Sequence, residues 1–162
     1  MSTLEPLASK YRPKSLDEFI GQQHLVGVNG PIRKFLETGN VPSMIFWGPP
    51  GTGKTTLAYI ISLNLYYDFY KMQAVNSGKE ELRKILKIAL NNQKYNRKTM
   101  LFLDEIHRWN KAQQDTLLPY VEKGVITLIG ATTENPSFTI ISPLLSRTKV
   151  FVFNQHTKED IA

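Results

Sequence analysis

Gly48-Pro49-Pro50-Gly51-Thr52-Gly53-Lys54-Thr55 follows directly on the apolar run Met44-Ile45-Phe46-Trp47. Glycines at 48, 51 and 53 let the backbone curl tightly enough to aim several N–H groups at one anion. Lys54 adds a positive charge beside them, and the Thr55 hydroxyl is a ligand for a hard cation such as Mg²⁺. An apolar stretch at 56–65 reads as a helix whose positive N-terminal end faces the same anion. The chemistry this spacing suits is the binding of a nucleoside triphosphate, with Pro49, Pro50, Gly51, Thr52, Gly53, Lys54, Thr55 and Thr56 around its phosphates. The bland alternative is a glycine-rich turn between a strand and a helix.

A second group of residues argues against that alternative. Met100-Leu101-Phe102-Leu103 reads as a buried parallel strand, and it ends in two adjacent carboxylates, Asp104 and Glu105. Mg²⁺ prefers oxygen ligands and keeps several waters, so Asp104 is the candidate to hold it, through water. Glu105 points the other way along the pleat and is the candidate to orient or deprotonate an attacking water. Alone, an Asp-Glu pair could simply open the turn before a helix at 111–122. Beside the loop at 48–55 it completes a site for nucleotide hydrolysis, with ATP as substrate and Mg²⁺ as cofactor.

The elements that must position these residues alternate along the chain. Apolar runs predict strands near 43–47, 71–75, 99–103, 126–131 and 149–153. Helical spacing predicts helices near 31–38, 54–65, 79–91, 111–122 and 142–146. The stretch 91–96 reads as a polar loop. Such alternation predicts an α/β fold, a five-stranded parallel sheet between two layers of helices. The chain of 162 residues has room for one domain with a real core, and its 41% apolar and 21% charged residues are those of a globular protein.

The absence of cysteine excludes a disulfide scaffold or a thiolate zinc site, and the three histidines lack metal-ligand spacing. No apolar run approaches the length that spans a bilayer, and Met1-Ser2-Thr3-Leu4-Glu5 lacks a signal-peptide pattern; the expected compartment is the cytoplasm. The net charge of +6 is uneven: residues 1–99 hold 14 Lys/Arg against 7 Asp/Glu, and residues 100–162 hold 6 against 7. Much of the excess sits in Arg83, Lys84, Lys87, Lys94, Arg97 and Lys98. Arg83, Lys84 and Lys87 are candidates to meet nucleic-acid phosphates. They equally suit the solvated face of an amphipathic helix, because Leu82, Ile85, Leu86 and Ala89 share the opposite face.

The order of motifs resembles the clamp-loader branch of the AAA+ ATPases. It runs from Arg12-Pro13, through Phe19-Ile20-Gly21-Gln22 and the loop at 48–55, to the strand that ends in Asp104-Glu105. Within that branch it is similar to the RarA/MgsA group, relatives of the Werner-helicase-interacting protein. Three stretches carry the narrower likeness: 104–111 (Asp-Glu-Ile-His-Arg-Trp-Asn-Lys), 129–138 (Ile-Gly-Ala-Thr-Thr-Glu-Asn-Pro-Ser-Phe) and 144–147 (Leu-Leu-Ser-Arg). The resemblance implies a P-loop NTPase core at 43–153, preceded by an adenine-pocket segment at 1–42. It implies that Leu7, Arg12, Pro13, Ile20 and Gly21 line the base. Thr133, or its neighbour Thr132, would sense the γ-phosphate and position water. Asn76 would hold Glu105 away from water until a partner binds. Arg147 would act in trans, on ATP held by a neighbouring subunit. The family continues into a helical lid with a second arginine; residues 154–162 are expected to be only the beginning of such a lid. DNA junctions or forks, replication and repair proteins, a homo-oligomeric assembly and a nucleoid-associated location are what the resemblance implies for partners.

Two other readings compete with a DNA-dependent ATPase. Asp104-Glu105-Ile106-His107 also suits a DExH helicase, but that reading needs a second RecA-like domain and a Ser-Ala-Thr element. Gly130-Ala131-Thr132-Thr133 stands in that element's place. The other is an ATP-binding assembly module whose nucleotide state switches contacts without appreciable turnover.

Overall fold

In the computed structural model residues 15–157 are described. Five strands form one sheet in the order β2-β3-β4-β1-β5: β1 Met44–Trp47, β2 Asp68–Gln73, β3 Thr99–Asp104, β4 Thr127–Thr132 and β5 Lys149–Val152. Every pairing is parallel. The register sets Trp47 opposite Thr132 and Leu103 opposite Gly130, so β1, β3 and β4 end along one edge of the sheet.

Apolar residues on both pleat faces give this sheet two cores. Met44, Phe46, Met100, Phe102, Ile129 and Ala131 face helices α1 Gln23–Val26, α2 Pro31–Thr38 and α3 Lys54–Asn64. Their pleat neighbours Ile45, Leu101, Leu103 and Leu128 face α4 Lys79–Lys94, α5 Lys111–Glu122 and, past the short α6 Pro136–Thr139, α7 Ser142–Leu145. A strand buried on both sides must read as a continuous apolar run, which is why β1 and β3 stand out in the sequence. Helix ends follow local chemistry. Pro31 opens α2, and Gly39, at φ 77°, closes it by donating its N–H to Phe35. Asn110 and Gln113 form a reciprocal capping box at the start of α5.

Two expectations need correction. β2 lies at Asp68–Gln73, three residues earlier than the expected 71–75 at its start, and α4 runs to Lys94 through the stretch expected to be a loop. The cause is shared. Asn92, in the last turn of α4, is buried and donates from Nδ2 to Asp68 Oδ2 and Thr99 Oγ1, both at 2.9 Å. Arg97 adds an ion pair to Asp68. These bonds hold a carboxylate at the start of β2 and give the polar end of α4 a reason to stay helical. The short helices α1 and α6 had no expected counterpart.

Candidate nucleotide site

β1 delivers the chain to Gly48, whose N–H donates to the Thr132 carbonyl at 3.0 Å and extends the β1–β4 ladder one step. A Cβ on Gly48 would lie 2.4 Å from the Phe153 carbonyl oxygen, so backbone passes backbone there with no space for a side chain. Gly51 and Gly53 take φ values of 74° and 93°, which favour glycine. The Thr52 hydroxyl donates to the Pro49 carbonyl at 2.8 Å, and Lys54 Nζ donates to the same oxygen at 3.1 Å. The loop is therefore tied back on itself as α3 starts, with Thr55 and Thr56 in the first turn. Burial lowers the pKa of Lys54, and the Asp104 carboxylate opposes that shift, which sets the two charges in one field.

Asp104 ends β3, and its Oδ1 accepts the N–H of Glu105 at 3.0 Å. Glu105 then adopts φ 55°, ψ 44°, a left-handed backbone that is unusual for a glutamate. A one-turn 3-10 helix, Ile106–Arg108, follows at once, closed by the Arg108 N–H on the Glu105 carbonyl at 2.9 Å. Its Ile106 packs onto β4 at Gly130, where a Cβ would come within 2.9 Å of Ile106 Cδ1 and 3.0 Å of Ile45 Cδ1. Sequence reasoning passed over Gly130. A glycine inside a β-rich apolar run was the available signal of a close approach.

At the end of β4 the two threonines differ. Thr132 is buried, and its Oγ1 lies 2.9 Å from His107 Nδ1 and accepts the Glu134 N–H at 3.0 Å. Thr133 is exposed and makes no side-chain hydrogen bond among the described residues. Thr133 is thus the hydroxyl available to a ligand, and Thr132 the one committed to structure. Asn76 stands exposed in the turn after β2, with its N–H on the Gln73 carbonyl; among the described residues its side chain makes no hydrogen bond to Glu105. Arg147 follows α7, and its Nη2 pairs with Glu122 Oε2 at 3.0 Å.

The segment before the loop closes in from the side. The tip of the Phe19 ring approaches Gly53 so closely that a Cβ there would meet it at 2.7 Å. Ile20 is 56% exposed, and Gly21 and Gln22 both take positive φ. The Gln22 amide then pairs with the backbone of Asn154, donating at 2.6 Å and accepting at 2.9 Å, and the His24 ring meets the Val152 carbonyl at 2.7 Å. A cavity of about 260 Å³ lies between these two stretches, lined by Gly21, Gln22, His24 and Asn154 among others. Leu7, Arg12 and Pro13 lie outside the described residues.

A larger cavity, about 740 Å³, lies away from this chemistry, between α4 and α5. Arg83 and Lys87 line it together with Lys79; Lys84 is exposed but is not among its lining residues. Among the described residues no three His, Cys, Asp or Glu side chains converge on a metal. A divalent ion here would depend on Thr55, Asp104 and phosphate oxygens, which suits Mg²⁺. No helix among the described residues is long and apolar enough to cross a membrane.

A phosphate loop after β1, an Asp-Glu pair at the end of β3 and a polar end on β4, the strand between them, define a P-loop ATPase. The family described as "ATPase family associated with various cellular activities (AAA)" matches residues 44–156, and the chain belongs to it. The chain is 49% identical over 160 residues to Replication-associated recombination protein A of Escherichia coli (strain K12), covering 99% of this chain and 36% of that protein. It is 47% identical over 156 residues to ATPase WRNIP1 of Dictyostelium discoideum, covering 96% of this chain and 18% of that protein. It thus spans 36% of the first and 18% of the second. Its fold matches the Thermotoga maritima RuvB Holliday junction branch migration motor with a TM-score of 0.73 and 33% identity, over 93% of this chain and 51% of that one.

Proposed function

We propose that this chain is the ATP-hydrolysing core of a larger DNA-dependent ATPase of replication-fork maintenance, recombination or repair, working in the cytoplasm at the nucleoid. In it, residues 1–42 complete the adenine pocket, 43–153 form the nucleotide core and 154–162 lead into a lid. What supports the reading is that Lys54 opens α3 after the loop, Asp104 ends β3 with Glu105 beside it, Thr133 follows β4, and the Asp104 carboxylate acts on Lys54. The loop N–H groups and Lys54 hold the β- and γ-phosphates. Mg²⁺, held by Thr55 and, through water, Asp104, would neutralise charge on the transferring group. Glu105 orients the water for in-line attack on the γ-phosphorus, and Thr133 donates to the γ-phosphate or to that water. Ile20 and Gly21 meet the base; Asn76 restrains Glu105. Arg147 of a neighbouring subunit completes the site, since a guanidinium is always charged and donates bidentately. Such arginines are typically worth about 10³–10⁵ in rate.

The test separates binding from cleavage. Lys54→Ala is expected to abolish ATP binding, whereas Glu105→Gln keeps ATP and loses turnover. Hydrolysis by Glu105→Gln at the parent rate would remove Glu105 from the mechanism.

The DNA part of the reading is supported by the relatives' names and by α4. Lys79, Arg83 and Lys87 recur every four residues along one line of that helix, about 6 Å apart. Junctions or forks are the proposed substrates, replication or repair proteins the partners, and a homo-oligomer the assembly. Neutralising Arg83, Lys84 and Lys87 together should flatten the slope of log affinity against log salt, by about 0.9 for each duplex phosphate that these side chains no longer neutralise. An unchanged slope would make α4 a solvated face.

A further inference from the structure

His107 lies two residues beyond Glu105, in the one-turn helix Ile106–Arg108. Its Nδ1 sits 2.9 Å from Thr132 Oγ1, and Thr132 is only 2% exposed. The Thr132 hydroxyl is held in turn by Glu134, whose N–H donates to it at 3.0 Å and whose carbonyl lies at 3.2 Å. The hydroxyl and the ring can bond in either direction, so the link survives either neutral tautomer. Ile106 packed against Gly130 is the apolar half of the same joint, and His107 with Thr132 is the polar half.

We propose that His107 is a positioning residue for hydrolysis: it locks the turn that carries Glu105 to the end of β4 that carries Thr133, so that both groups address one water together. This rests on the roles proposed above for Glu105 and Thr133. The need for such a lock follows from the backbone. Glu105 is held at a positive φ that costs a non-glycine residue free energy, and a conformation of that kind persists only where its surroundings fix it. The Asp104 side chain and the Arg108 N–H fix the turn to itself and to β3; among the described residues, only Ile106 and His107 are seen to fix it to β4. Without the polar half, an apolar contact that tolerates sliding is all that remains. A displacement of about 1 Å at a reacting group is enough to cost on the order of 100-fold in rate.

Two amide replacements read out which ring nitrogen matters. Asparagine places its amide where Nδ1 sits, and glutamine places it where Nε2 sits. ATP turnover is measured on the full chain, at protein concentrations where the rate per subunit no longer rises, alongside ATP affinity and the melting temperature. His107→Ala is expected to lower kcat about 10- to 100-fold with ATP affinity unchanged. His107→Asn should recover most of that loss and His107→Gln should not. Thr132→Val, close in volume, should match His107→Ala, and the two together should cost no more than either alone. Rescue by His107→Gln, full activity of His107→Ala, or additive losses would each overturn the lock. If His107→Ala fails to fold, the Asn–Gln comparison still decides. Glu105→Gln run in parallel separates the two ideas: parent-rate turnover by that variant sinks the underlying site, whereas its inactivity beside a fully active His107→Ala sinks the lock alone.

Discussion

At the scale of single residues, the site places groups where their own preferences are opposed. Glu105 carries a left-handed backbone without glycine's freedom, and Lys54 carries a charge into a partly buried loop. Burial lowers the Lys54 pKa from its ordinary 10.5, and Asp104 only partly offsets this. Between the lowered value and 10.5 the unfolded chain binds more protons than the folded one, so this lysine's contribution to stability rises with pH across that window. At neutral pH its burial therefore works against the fold. That is the sign expected of a residue held for ligand binding, since a triphosphate supplies the compensating charge. The Lys54→Ala variant that loses ATP should accordingly lose little thermal stability without nucleotide. The residue types here were legible in the sequence, because glycine spacing and a strand-end carboxylate pair have few other uses. The left-handed Glu105, the choice between Thr132 and Thr133, and the role of Gly130 were not. Each depends on a neighbour that β-sheet register brings in from another strand, and local sequence carries no trace of register.

At the scale of elements, strands β1 and β3 were legible because burial on both faces leaves only apolar residues. β2 was legible only in part: a strand near 71–75 was expected, but its start was missed because the charged Asp68 reads as a turn. The Asp68 carboxylate is tolerated at 8% exposure of its residue because Asn92 and Arg97, more than twenty positions later, come back to meet it. Asn92→Ala should therefore destabilise the fold by about 1–3 kcal/mol, because it removes two hydrogen bonds of the network and takes the Asn92 partner from the buried Thr99 hydroxyl, while Asp68 keeps Arg97. Urea denaturation measures it, and ATP affinity should stay at the parent value because α4 ends far along the chain from the loop. A destabilisation below about 0.5 kcal/mol, under the range for a single net hydrogen bond, would mean that the end of α4 gains its helicity from something other than this network. The capping box of α5 and the glycine closing α2 show the opposite case, elements whose boundaries local chemistry alone announces.

At the scale of the whole molecule, the ends of β1, β3 and β4 carry the residues proposed to hold nucleotide, and Arg147 pairs with Glu122. An exposed ion pair of this kind contributes about 0–1 kcal/mol, too little to hold the arginine against a stronger anionic partner. In the proposed assembly the arginine would therefore be free to serve a neighbour's phosphates. Mixing two variants tests that shared site most directly. Glu105→Gln lacks the group proposed to orient water, and Arg147→Ala lacks the guanidinium proposed to reach a neighbour. Each alone should be close to inactive, and titrating one into the other should restore a fraction of parent ATP turnover, at interfaces pairing an intact Glu105 with an intact Arg147. A mixture no more active than its components would mean that both residues serve the same chain's ATP. Parent-rate turnover by Arg147→Ala alone would mean that the site is complete without a neighbour.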